Sequence, residues 1–256
     1  KGLNDEDNID IKTITLEKSI DVPEGIETFD LSIGQNGKVI GYFTSNADSS
    51  YNLYIQGDGA LYAPENSYEL FAYKNVTKIN NLNVLNTSKV TSMEGMFRYI
   101  GTTSLNLSNF DTSNVTNMRG MFEAAKVTSL DLSHFKTSKV TNMAEMFDHT
   151  SSLQTLNLNG FDTRNVTEMY DMFLELVNLE KLDISSFNTS KVTTMSWMFG
   201  AVGRYNPNFT LILGDGFDTS NVTDMTNMFI WAGEASPYFK LDCSNWNVDK
   251  VTGNHY

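Results

Sequence analysis

"FDTSNVTNMRGMF" at residues 110–122 is one of five near-copies. The others are "FKTSKVTNMAEMF" at 135–147, "FDTRNVTEMYDMF" at 161–173, "FNTSKVTTMSWMF" at 187–199 and "FDTSNVTDMTNMF" at 217–229. The Val of the "VT" pair recurs at Val90, Val115, Val140, Val166, Val192, Val222 and Val251, at intervals of 25, 25, 26, 26, 30 and 29 residues. Repetition at this length is the signature of a solenoid: one copy cannot bury its own apolar edge, and stacking the copies makes one core. Each copy also holds an alternating stretch, Leu-x-Leu at 105–107, 130–132, 156–158 and 211–213, Leu-Asp-Ile at 182–184 and Leu-Asp-Cys at 241–243. That alternation predicts one parallel strand per copy. Cys243 falls on an inward phase and is expected to be a small buried hydrophobe.

Val, Met, Met and Phe at offsets 0, 3, 6 and 7 predict a short helical or 3-10 turn in the other half of each copy, with Thr112-Ser113 as an example of its cap. All twelve methionines lie in two columns at these offsets, from Met93 to Met225 and from Met96 to Met228. A methionine surface can serve as an adaptable binding groove, but here the phase matches the apolar face, so both columns are expected in the core. Two Phe columns behave alike, Phe97 to Phe229 and Phe110 to Phe217, the second continued by Trp246. A polar column reads Lys89, Asn114, Lys139, Asn165, Lys191, Asn221, Lys250, alternating without a slip. Like charges on adjacent strands repel, and alternation keeps them about 10 Å apart, which predicts a surface ladder.

Residues 1–75 differ. They contain no methionine and alternate like antiparallel strands. Asn36-Gly37 and Gly57-Asp58-Gly59 are read as hairpin turns, and the segment as a small β cap over the first copy. The chain begins at Lys1 and stops in mid-pattern, and is read as a mature or trimmed piece of a longer protein.

Composition narrows function. The 256 residues are 40% apolar and 12% aromatic, enough for a folded core, and contain no apolar run long enough to span a membrane. A net charge of −13 argues against nucleic acid and anionic membranes as partners. A single cysteine excludes a disulfide framework and a Cys-based zinc site. The three histidines are scattered, no HExxH, GxSxG or phosphate-loop motif occurs, and no calcium loop supports a metal reading of the recurring Asp111, Asp162 and Asp218. No cofactor, metal or catalytic residue is therefore assigned. The Asn-Val-Thr strings at Asn75, Asn114, Asn165 and Asn221 match a glycosylation acceptor, but three of them sit in the Lys/Asn ladder, where a glycan would crowd its neighbours.

The repeated "LxLSxFDTSNVTxMxxMF" pattern, together with "YNLYIQGDGALYAPENSYELFAYKNVTKI" ahead of it, resembles the BspA-type leucine-rich-repeat surface proteins of bacteria, in the variant of mycoplasmas and low-GC Gram-positives. The resemblance spans about residues 50–256. It implies export, attachment to the cell envelope and adhesion to host or bacterial partners, with no shared catalytic residues. Two departures stand out: the Cys often found after "MF" is replaced by Ile100, Ala125, Thr150 and Leu176, and no sorting or lipid-anchor motif is present.

The fold expected is a leucine-rich-repeat-like solenoid of about six repeats over 76–256, with an N-terminal antiparallel β cap over 1–75. The function expected is that of a monomeric, extracellular bacterial adhesin that binds a protein or glycan and catalyses nothing. A passive stalk is the alternative, and a glycan-cleaving β-solenoid enzyme ranks behind both. Binding should lie where the copies disagree. "GAVGRYNPNFTL" (200–211) and "IWAGEASPYFKL" (230–241) lengthen the link between "MF" and the next strand from eight or nine residues to twelve. Insertions in a solenoid map to one edge, so Trp197, Arg204, Tyr205, Trp231 and Tyr238 are the candidate ligand-binding residues.

Overall fold

The structure, a computed structural model, describes residues 9–32, 37–73, 75–244 and 246–252. It is a repeat β-rich fold without an α-helix among the described residues. The N-terminal region builds a five-stranded mixed sheet, not the antiparallel one expected, from β1 (Ile11–Glu17), β2 (Phe29–Asp30), β3 (Val39–Ser45), β4 (Tyr51–Gly57) and β6 (Lys78–Asn80), in the order β2-β3-β4-β1-β6. β2, β3 and β4 are antiparallel, whereas β1 runs parallel to both β4 and β6. Apolar residues alternate inward along these strands: Ile14, Leu16 and Leu53 are buried.

Two turn assignments separate here. The turn expected at Asn36-Gly37 lies in part outside the described residues, though the strands it would join are paired antiparallel. The hairpin expected at Gly57-Asp58-Gly59 does not form. Asp58 N–H is tied to Lys38 O and Gly59 N–H to Lys18 O, and the chain then leaves this sheet. β5 (Leu61–Tyr62) pairs instead with β7 (Leu85–Asn86), in parallel. Residues 65–80 carry elements of both regions, since Asn66 already bridges Ser92 in repeat phase while β6 belongs to the first sheet.

From there the copies stack in register. Parallel bridges link Asn66, Ser92, Asn117, Asn142, Glu168, Thr194 and Asp224 in succession, one per copy. Inside, all the methionines from Met93 to Met198 have no exposed surface, and the rings of Phe71, Phe97, Phe122, Phe147, Phe173, Phe199 and Phe229 follow one another at 5.0–5.8 Å, within 13° of parallel. Met225 and Phe229, near the last copy, are only partly buried.

The expected helical turn is replaced by a string of overlapping β-turns. Met96, Arg98 and Ile100 N–H return to the carbonyls three residues back, while Met93, Gly95, Phe97 and Tyr99 N–H cross to Asn117, Arg119, Met121 and Glu123 of the next copy. The third residue of alternate turns takes a positive φ, as in type II turns: Gly95 and Tyr99, Gly120 and Ala124, Glu145 and His149, Asp171 and Glu175, Trp197 and Ala201, Asn227 and Trp231. A left-handed residue every four positions stops a helix from propagating. Each such non-glycine residue costs on the order of 1 kcal/mol, offset by the cross-copy bonds that hold it.

Thr112 is not a helix cap either. Its Oγ1 donates to Lys136 O at 3.1 Å and accepts from Lys136 N–H at 2.7 Å, and Thr87, Thr137, Thr163 and Thr189 make the same pair of bonds to the following copy. Buried hydroxyls are thus satisfied between copies rather than within one.

One strand per copy is also too many. β8 (Ser129–Asp131) pairs with β9 (Thr155–Asn157), and β10 (Lys181–Asp183) with β11 (Thr210–Ile212), while 105–107 and 241–243 form no strand. Cys243, expected inside, is exposed, on a stretch that joins no strand.

Candidate functional site

The two lengthened links stack on each other as one more pair of rungs. Ala201 N–H reaches Ile230 O, Gly233 N–H reaches Val202 O and Ala235 N–H reaches Arg204 O, at 2.7, 2.8 and 3.0 Å. Gly203 and Gly233 repeat the positive φ of the regular turns, and a Cβ at Gly203 would overlap the ring of Phe209. That ring is buried and packs 5.7 Å from the half-buried Phe239, so one phenylalanine from each link extends the core.

What remains outside is a polar–aromatic cluster. The Arg204 guanidinium lies 4.7 Å from the Trp231 ring centroid and 5.6 Å from that of Tyr205, and its Nε donates to Glu234 Oε2 at 2.5 Å. Trp231 is 49% exposed and Tyr205 62%. A cation over an exposed ring contributes about 0.5–1 kcal/mol, and an exposed ion pair about as little, so the cluster orders these side chains without stabilising the fold much. Of the five candidates, the structure therefore brings Arg204, Tyr205 and Trp231 together. Among the described residues Tyr238, 84% exposed, joins no ring contact, and Trp197 is half-buried one copy earlier, beside Gly200. Glu234, the counter-ion that positions Arg204, was not singled out by sequence. Its spacing of thirty residues from Arg204, one copy on, is the signal that marks it.

The family model described as "Mycoplasma protein of unknown function, DUF285" matches residues 66–173 and again 153–256. The chain belongs to this family. No curated protein and no solved structure matches it. In this DUF285 chain the second match contains both lengthened links, so the aromatic cluster lies inside the family's own repeat region.

A second group of polar side chains, His149 among them, lies on the regular turns of earlier copies. Arg98 pairs with Glu69 and Glu123, and Arg119 donates Nε and an Nη to the two oxygens of Glu145, at 3.1 and 2.8 Å. Asp148 contacts His149 Nδ1 at 2.5 Å. Burial, with Asp171 and Glu123 adding to it, pushes the Asp148 carboxyl up to about 6 against the opposing pull of His149. Burial and Glu145 push Asp171 up to about 6 as well. His149 is lowered by burial but raised more by Asp148. Glu145 and Asp171 occupy the same phase of consecutive copies, where the Lys/Asn ladder never repeats a charge.

That ladder is a hydrogen-bonded relay. Lys139, Lys191 and Lys250 donate to Asn114, Asn165 and Asn221 Oδ1 at 2.8, 2.8 and 2.6 Å, and each Asn donates on to the carbonyl of Ser88, Ser138 or Ser190. Asp131 and Asp183, by contrast with Asp148, are held below the usual carboxylate range by the hydroxyls and N–H groups of Ser133 and Ser185. Among the described residues no three His, Cys, Asp or Glu side chains converge to hold a metal ion, and no helix is long and apolar enough to cross a membrane.

Proposed function

We propose that this chain is a non-catalytic, extracellular binding module of the bacterial cell surface. In this reading it is a leucine-rich-repeat-like solenoid of the BspA type that engages a protein or glycan ligand through its 197–239 edge. The observation that carries it is the exposed Trp231–Arg204–Tyr205 cluster, set on the two stacked links that depart from the repeat. Exposed aromatic and arginine side chains on a rigid support are the usual anchors of interfaces, and aromatic faces also stack on sugar rings. The links are tied to the core beneath them by the Phe209–Phe239 contact and by the stacking of Phe199 on Phe229.

The test is a glycan and extracellular-matrix array probed with the purified chain. Binding weakened at least tenfold by Trp231→Ala and by Tyr205→Ala supports the edge, and unchanged binding of every ligand removes it. The passive stalk is favoured by the in-register bridges between copies. An array on which the chain captures nothing selects that reading instead.

A further inference from the structure

The strand face of the stack is interrupted. β8 is joined to β9 and β10 to β11, but β9 is not paired with β10, nor residues 105–107 with β8. Where strands are joined, the pairing is prolonged by Leu132 N–H to Asn157 O at 3.0 Å and by Ile184 N–H to Ile212 O at 2.9 Å. The equivalent amides at the two breaks, Leu107 and Leu158, reach no backbone carbonyl. A depression opens at each break, of about 250 Å³ over Asn106 and Asp131 and about 210 Å³ over Asn157 and Asp183. The half-buried Leu105 edges the first and the half-buried Leu156 the second, while Leu107 and Leu158 are buried in the core. In the second, Gln154 and Glu180 are exposed, and their side chains have no partner among the described residues.

We propose that this face is a second binding site, independent of the aromatic edge, for an uncharged linear polysaccharide lying along the stack. The two depressions occupy the same phase two copies apart, so they are separated by two strand spacings, about 10 Å. An extended β-linked disaccharide repeats at about that length, and would set an equivalent ring in each. Amide, hydroxyl and carboxylate groups meet the sugar hydroxyls, and the half-buried Leu105 and Leu156 meet the C–H faces. The carboxylates Asp131, Glu180 and Asp183 outnumber Lys181 here, and the chain carries −13 overall, so sulfated and uronate polymers are rejected. An extended peptide repeats every two residues, about 7 Å, out of step with the depressions. A proline-rich segment docks on aromatic walls, and neither depression has an aromatic wall other than the His134 ring.

The experiment is calorimetric titration of the whole chain with β-1,4-linked N-acetylglucosamine oligomers of two, four and six rings, with cello-oligomers as the arm lacking acetamido groups. In at least one series, affinity should rise tenfold or more once the oligomer reaches both depressions. The double variant Gln154→Ala/Glu180→Ala should erase that gain while leaving the thermal midpoint unchanged, and Trp231→Ala/Tyr205→Ala should leave the gain intact. Failure of both series to bind overturns the proposal. So does an affinity independent of length, or a gain that disappears with Trp231 rather than with Gln154. Binding of a proline-rich peptide that depends on Gln154 and Glu180, with no oligomer bound, also overturns it.

Discussion

The turns at 118–125 and at 225–232 share one backbone and present opposite surfaces. Both cross to a neighbouring copy through alternate N–H groups or accept such bonds, and both hold positive φ at the same two phases. Around the first, those phases and their neighbours carry Arg98, Arg119, Glu123, Glu145 and Asp148, tied in ion pairs. Around the second they carry Trp197 and Trp231, with Arg204 laid over the latter. The difference teaches that the inward Val, Met and Phe set the backbone, which leaves the left-handed turn positions free to vary chemically. A position that projects outward from a hydrogen-bonded turn answers to its surface neighbours, not to the core.

The two turns differ most in what lies beneath them. Phe147 lies between Phe122 and Phe173 at 5.7 and 5.8 Å, fully buried, so Phe147→Ala should cost about 3–5 kcal/mol in denaturant unfolding. Phe229, stacked on Phe199 and touching Trp246 but only partly buried, should cost clearly less on the same change. Equal losses would mean that the two ends of the column are packed alike. Next comes Thr137→Val, which removes the bonds to Asp162 O and from Asp162 N–H and should cost about 1–3 kcal/mol by the same assay.

The charged turns are sharpened by pH. Asp148 and Asp171 bind protons more tightly folded than unfolded, so the folded state takes up protons between about pH 6 and pH 4. His149, raised when folded, acts in the same direction: its contribution is full below its unfolded pKa and lost as pH rises through the folded one. Thermal midpoints should therefore rise as pH falls from 7.5 to 5.5, and Asp171→Asn should flatten that slope. Below pH 4 the trend reverses, as the depressed carboxylates Asp111, Asp131, Asp183 and Asp218 lose their contribution. A midpoint that is flat from 7.5 to 5.5 would contradict the crowding of Asp148 and Asp171. Smallest of all is Arg204→Ala, expected to change stability by less than about 1 kcal/mol while altering the emission of Trp231, whose ring it covers.

Much of the core was legible because burial repeats with the chain. A methionine that recurs at one phase in six copies meets its own kind when copies stack, and the Phe columns follow by the same logic. The left-handed turns were not legible. Overlapping β-turns and a 3-10 helix share a spacing of three residues, and of twelve positive-φ turn positions only Gly95 and Gly120 announce themselves as glycine. Tyr99, Ala124, Glu145, His149 and Trp197 adopt the same conformation because the next copy holds their backbone, which no local preference reveals.

By itself, then, the repeated motif determined the period, the inward residues and the Lys/Asn alternation, since each follows from what equivalent side chains do when they touch. The tertiary structure alone decided which strands join and which part, that Cys243 is exposed, and that Arg204 meets Trp231 while Tyr238 does not. Those outcomes depend on hydrogen bonds and contacts between residues 25 or more positions apart, where small shifts of one copy against the next decide whether a bond is made.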